Sequence, residues 1–201
     1  MLAFRQAWLV QPTTIKYGKR EDEAPLLMQG ARMIDVFVDQ FKPGEVVAVE
    51  EPFTCHLADG LPPLVGHIDL ISIEKGKDGK ERLVLTDFKT SARRPSVDSL
   101  DNEQLCLYSI GALRTGMLAQ FPYDLALRYI YATKTKTPEV IEMEVEPSHQ
   151  DGIQLIEKAR QCWRGMSQQI CYPNHGWQCS GCGYQKLCKQ WPNLPKPDKE
   201  A

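Results

Sequence analysis

No run of about 18 apolar residues, the least that spans a membrane as a helix, occurs anywhere in the 201-residue sequence. The start, Met1 to Val10, has Arg5 and Gln6 where a secretory leader would be apolar. No small-residue cleavage site follows, so no signal peptide is expected. Net charge is scarce as well, since 24 Lys and Arg face 26 Asp and Glu, for a formal −2. That excludes binding of nucleic acid through bulk positive charge, and any basic surface must be local. Histidine is absent from residues 1–45, and no cysteine precedes Cys55. What remains is a chain expected in the cytoplasm, large enough for one domain with a real core plus a small appendage.

In that compartment the seven cysteines are not a disulfide framework. Cys55, Cys106 and Cys162 fall in segments that read as strand or helix, and are expected to be small buried hydrophobes. Cys171, Cys179, Cys182 and Cys188 crowd the C-terminal end. The spacing Cys179-x-x-Cys182-x5-Cys188 suits a chain wrapped around a metal centre, with Gly181, Gly183 and Pro173 allowing tight turns. Thiolates select zinc or an iron–sulfur cluster. Cys171 or His175 can complete a four-ligand zinc set, and Cys171 reads equally well as a core side chain. Either centre would be structural, with folding coupled to the metal.

Residues 1–20 show no clear period and contain Pro12 and Gly18, which predicts an irregular leader. Helical spacing of Leu27, Ala31, Ile34, Val38 and Phe41 predicts a helix over 23–41, stopped by Lys42-Pro43-Gly44. Strands are expected over 46–55, 64–74 and 83–89, the last two joined by the hairpin signal Lys77-Asp78-Gly79-Lys80. A helix over 100–117, strands over 123–133 and 140–145 and a helix over 148–167 follow. In the last helix Ile153, Ile156, Ala159, Trp163 and Met166 share one face. The proline-bearing tail 192–201 is expected to be disordered. The domain reading is leader 1–20, core 21–168, cysteine-rich clasp 169–191 and tail. The order α-β-β-β-α-β-β-α predicts an α/β (α+β) fold, a mixed central sheet flanked by helices.

Two short stretches carry the chemistry. Gly66-His67-Ile68-Asp69 and Asp87-Phe88-Lys89 each lie in an apolar strand. Alternation puts Asp87 and Lys89 on one face and Phe88 on the other. If the two strands are neighbours, Asp69 joins that pair. An acid in a buried strand needs a partner or a metal, because an unpaired buried charge is costly. Two carboxylates beside an ammonium suit Mg²⁺ or Mn²⁺, hard cations that prefer oxygen ligands, with the Phe88 carbonyl as a backbone ligand. Such a site suits hydrolysis of a phosphodiester, with Lys89 orienting or deprotonating water or stabilising phosphate charge.

In their order and spacing, Gly66-His67-Ile68-Asp69, Asp87-Phe88-Lys89-Thr90 and Gln104-x-x-x-Tyr108 resemble the RecB-like exonuclease branch of the PD-(D/E)XK nuclease superfamily. The cysteine motif resembles the iron–sulfur clasp of part of that branch. The resemblance covers about residues 45–190 and implies a restriction-endonuclease-like core with a C-terminal clasp. It implies Asp69, Asp87 and Lys89 as the catalytic set and a [4Fe–4S] cluster, zinc being the rival. It offers Glu51 as an auxiliary acid, which reads equally as an ordinary strand-end charge before Pro52. It implies that Gln104 and Tyr108, four apart on one helix face, position DNA; by itself Tyr108 reads as a core aromatic with a tethered hydroxyl. Members usually carry an upstream histidine ligand, and cluster-bearing members an upstream cysteine. Their absence here is expected to mean an upstream segment outside this sequence, a partner that supplies them, or a diverged site.

Lys89-Thr90-Ser91-Ala92-Arg93-Arg94 leads away from the site, and Thr90, Arg93 and Arg94 suit phosphate contacts that do not read sequence. Lys134 and Lys136 offer a second basic patch, read more simply as solvated loop charge. The sequence thus predicts a metal-dependent DNA nuclease, by resemblance an exonuclease, in repair, recombination or mobile-element processing, with a helicase or recombination partner. The alternative is a non-catalytic DNA-binding scaffold with an incomplete metal site.

Overall fold

The structure is a computed structural model and describes residues 2–10, 22–96, 102–170 and 172–192. Two compact units are present, Met1–Leu155 and Ile156–Ala201.

The first unit contains helices α1 (Leu2–Leu9), α2 (Glu23–Gln40) and α3 (Glu103–Arg114) and strands β1 (Glu45–Cys55), β2 (Leu64–Lys75), β3 (Glu81–Ser91), β4 (Asp124–Thr133) and β5 (Val140–Val145). Helix α4 (His149–Ser167) begins in this unit and ends in the second. The strands form one sheet in the order β1-β2-β3-β4-β5. All neighbours are antiparallel except β3 and β4. Antiparallel strands need only a turn, and the β2–β3 turn is closed by Gly79 at φ +79° and by the Lys80 N–H donating to Asp78 Oδ1 at 3.1 Å. The parallel pair needs a crossover, and α3 supplies it. The mixed sheet with packed helices is the architecture the sequence predicts.

Each sheet face has its own cover. The α3 face holds the main core, with Leu83, Leu85, Leu127 and Tyr129 packed around Leu105, Tyr108 and Ala112 of α3. The α2 face holds an aromatic group in which Phe88 meets Phe37 and Phe41 edge-on, at 5.4 and 5.5 Å between ring centres. Phe53 of β1 is clamped between two glycines. A Cβ at Gly111 would come within 2.6 Å of its ring, and one at Gly66 within 2.7 Å.

Several sequence expectations change. Residues 2–9 are helical rather than irregular. Two turns are too short to display a period, and tertiary packing holds them: Phe4 fills the notch at Gly30, where a Cβ would lie 2.7 Å from its ring. The rest of the expected leader lies outside the described residues, as does nearly all of the expected tail. Helix α3 ends at Arg114, short of the predicted 117, because Gly116 takes φ +75° and its N–H caps Leu113. In α4 the buried side chain is Leu155, whereas Ile153, Trp163 and Met166 of the predicted apolar face are exposed. Cys55 and Cys106 are buried as expected, but Cys162 is exposed.

The second unit holds the end of α4, a 3-10 turn at Trp177–Gly181 and the four-residue α5 (Gln185–Cys188). Its aromatic residues Tyr172, Trp177 and Tyr184 are exposed.

Candidate active site

The β2–β3 ladder runs from Lys75↔Glu81 to Leu70↔Thr86 and stops. One more step would set Asp69 opposite Asp87, like charges that a regular pair would force together. The Phe88 N–H donates to Asp69 Oδ2 instead, at 2.8 Å, so a carboxylate takes the place of a ladder carbonyl. The backbone is irregular at the same level. Ile68 and Ile71 both enter the α3-side core, although strand alternation puts residues three apart on opposite faces. Ala48 and Phe53 break the alternation on β1 in the same way. Between them Glu50 adopts φ +52°, flanked in register by Val49↔Leu70 and Glu51↔Ile68, which sets it across from Asp69. A positive φ at a non-glycine residue costs of order 1–3 kcal/mol and clusters at functional sites.

Asp87 lies on β3, in the middle of the sheet, and is 1% exposed. Its Oδ1 accepts from the Tyr108 hydroxyl at 3.2 Å. Its Oδ2 is buried without a well-directed hydrogen bond, and the Lys89 ammonium stands 2.7 Å away. The Tyr108 oxygen also lies 3.4 Å from Asp69 Oδ1. The two carboxylates are therefore no farther apart than those two distances combined. Gln104 completes the ring: its Nε2 donates to the Tyr108 oxygen at 3.1 Å, and its Oε1 accepts from Lys89 Nζ. Phe53 meets Tyr108 edge-on at 6.2 Å, which ties the clamped core to the site.

Burial pushes the Asp87 carboxyl above the usual range; Lys89 pulls it down, and Asp69 adds to the rise. Burial, together with the two carboxylates, raises Tyr108 far above its ordinary value, so it stays a phenol with one proton to give.

Asp69, Asp87, Lys89, Gln104 and Tyr108 are thus gathered at one place, with the Phe88 backbone alongside. Thr90 and Arg93 are exposed where β3 leaves the sheet. Arg94 is ion-paired to Glu139. Glu51 does not join the group: it lines a separate hollow with Ile71, Thr115 and Met117. Among the described residues, no three His, Cys, Asp or Glu side chains converge as a metal-holding group. Two carboxylates and a carbonyl still fit Mg²⁺, which keeps several of its waters. Among the described residues, Cys179, Cys182 and Cys188 do not converge as a metal-holding group. Cys182 is exposed, Cys179 Sγ accepts the Gly176 N–H at 3.4 Å, and Cys171 lies outside the described residues.

The other sheet face holds a charged cluster that the sequence reading missed. Arg128, in the middle of β4, donates from Nε to Thr86 at 2.9 Å and from Nη1 to Glu74 at 2.8 Å and Glu142 at 3.0 Å. Ser72 donates to Glu74 at 2.7 Å. Burial alone would raise the Glu74 carboxyl, but the bonds from Arg128 and Ser72 outweigh it and hold the group below its usual range. The available signal was an arginine inside Leu125-Ala126-Leu127-Arg128-Tyr129-Ile130.

Comparison with known proteins supports the fold. No curated protein matches the chain. A solved structure of a candidate exonuclease from Eubacterium rectale superposes with a TM-score of 0.52 and 15% identity, over 91% of this chain and 67% of that one. That of the protein SSO0001 gives 0.45 and 16%, over 86% of this chain and 72% of that one. At such identities the first likeness speaks for the fold alone. The sequence profile of the PD-(D/E)XK nuclease superfamily matches residues 3–189, nearly the whole chain, and the chain belongs to that superfamily.

Proposed function

We propose that the chain is a metal-dependent deoxyribonuclease, an exonuclease acting without sequence preference in DNA repair, recombination or mobile-element processing. The observation that carries this reading is Asp87, a buried carboxylate with one oxygen left without a directed hydrogen bond, held beside a second carboxylate and a lysine. A fold seldom keeps such an arrangement for stability alone.

Asp69, Asp87 and the Phe88 carbonyl would hold Mg²⁺ or Mn²⁺, which would polarise the phosphate and lower the pKa of an attacking water. Lys89 reaches solvent, its side chain being 36% exposed, and is steadied by Asp87 and Gln104. It is placed to donate to a phosphate oxygen or to orient the water. Gln104 and Tyr108 act as positioning residues by fixing Lys89 and the carboxylates. Thr90, Arg93 and Arg94 on the strand exit would contact flanking phosphates. A [4Fe–4S] or zinc centre would require Cys179, Cys182 and Cys188 to be drawn together from their present positions, and no step of the reaction passes through it. A helicase or recombination partner would deliver DNA ends.

The test is degradation of end-labelled DNA with Mg²⁺ or Mn²⁺ by wild type and by Lys89→Met. Cutting that disappears in the variant while the circular dichroism spectrum is kept supports the proposal. A wild type that binds DNA and cuts none, with either metal, would favour a non-catalytic scaffold.

A further inference from the structure

The β4–β5 turn and α2 enclose a hollow of about 420 Å³. Among the described residues it is lined by Arg32, Lys134 and Lys136, by the apolar Leu26, Met28 and Pro138, and by no acid. Arg32, Lys134 and Lys136 are exposed. The turn that bears the lysines is held in place at several points. Gln29 of α2 donates to the Lys134 carbonyl at 2.8 Å. The Thr133 hydroxyl accepts from the Glu139 N–H at 3.0 Å, and the Thr133 N–H donates to the Glu139 carbonyl at 3.0 Å. The Lys134 N–H donates to the Ser91 carbonyl at 2.7 Å. That last bond joins the turn to the strand carrying Lys89, two residues before Ser91. Lys89 pairs in register with Tyr131, so Lys134 lies three residues farther along, roughly 10 Å at strand rise.

We infer that this hollow is a phosphate-binding groove for the DNA strand that enters or leaves the active site. Arg32, Lys134 and Lys136 hold the backbone a few nucleotides from the scissile bond. The inference rests on the nuclease reading for its substrate. Three cations with no acid among the described lining residues favour a polyanion, and a pre-fixed turn lowers the cost of ordering the lysines on binding. The apolar lining is indifferent to sequence, and suits an unpaired strand whose sugars and bases lie against it.

The groove predicts a dependence on length. Fluorescently labelled single strands of about 4 and about 16 nucleotides, the range of site sizes in single-strand binders, are compared by anisotropy and by cutting. In Arg32→Ala/Lys134→Ala/Lys136→Ala, binding of the long strand weakens about 10-fold or more. The slope of log affinity against log salt falls by about 2, at about 0.7 for each phosphate that is no longer neutralised. KM for the long strand rises, while kcat and the short strand are unchanged. Lys77→Ala/Lys80→Ala, at the β2–β3 turn beyond the other end of β3, is the charge control and changes neither. Equal losses on both strands, no loss on the long one, or the same loss in the control would each overturn the groove. Because anisotropy needs no cleavage, a wild type that cuts nothing but shows the length-dependent loss sinks the nuclease reading and keeps the groove.

Discussion

On one face of the sheet, Glu74 and Arg128 are buried together, with side chains 15% and 4% exposed, and each finds directed partners. On the other, Asp87 is buried deeper than Glu74, at 1% exposed, and shares its surroundings with Asp69; its Oδ2 has the Lys89 ammonium at 2.7 Å but no well-directed hydrogen bond. The same strands carry both sets, because β2 and β3 send alternate residues to opposite faces. Their surroundings shift the two acids in opposite directions: Arg128 and Ser72 hold Glu74 below its usual range, and burial pushes Asp87 above it. A group whose surroundings favour its charge serves the fold. A group whose surroundings resist its charge needs another explanation, and a cation is the one that fits.

The sharpest break between the faces is expected from Lys89→Met. Loss of the only cation beside Asp87 among the described residues should lower kcat by about 10²–10⁴-fold, the usual weight of a positioned proton donor or electrostatic group. Thermal stability should fall less than in Arg128→Met, because the stranded Asp87 carboxyl, already raised by burial, can take up a proton. If Lys89→Met instead unfolded the protein, the site face would be structural like the other.

Arg128→Met should do the reverse. It strands the Glu74 carboxylate in the sheet, and breaking a buried pair costs about 3–5 kcal/mol. Urea unfolding should show that loss, with whatever fraction still folds cutting normally. Glu74→Gln tests the same pair by pH. Because the folded carboxyl lies below its unfolded value, its contribution is present above the unfolded pKa and fades as pH falls through the folded one. The variant should have a flatter acid limb.

Asp87→Asn should separate function from stability. The Asp87 carboxyl is raised in the folded protein, so its effect on stability is favourable below the unfolded pKa and is lost as pH rises through the folded value. Removing the charge should raise Tm at neutral pH by a few degrees, at about 2–4 °C per kcal/mol for this size, while abolishing cutting. A lower Tm would mean that the Lys89 pair outweighs burial. Gly111→Ala sits between the two classes. The added methyl must displace Phe53, an overpacking cost of about 1–3 kcal/mol, and through Phe53 it should disturb Tyr108.

The sequence made the site acids legible for a physical reason: Asp69 and Asp87 interrupt apolar strands, and burial of a charge demands a cause. Arg128 and Glu74 obeyed the same rule. They went unread because their pairing spans β2, β3 and β4, and only the strand order brings them together. The backbone switch at Glu50 left no mark, since no glycine announces its positive φ. Helix α1 was invisible because its stability resides in the Phe4 contact with Gly30 rather than in its own eight residues. Cys162 shows the limit of composition, since a cysteine in a helix is buried only if that helix face is.

The smallest expected effect completes the comparison by holding the chemistry constant and changing burial. Arg94 and Glu139 form the same type of pair as Arg128 and Glu74, but their side chains are 67% and 43% exposed. Water already solvates both ions, and holding two long side chains in one geometry costs entropy. Arg94→Ala should therefore change the unfolding free energy by no more than about 1 kcal/mol, against about 3–5 for Arg128→Met. Paired denaturant curves at low and high salt would show it. A difference that shrinks with salt for Arg94 and persists for Arg128 would mean that depth, rather than the ions themselves, sets what each pair contributes.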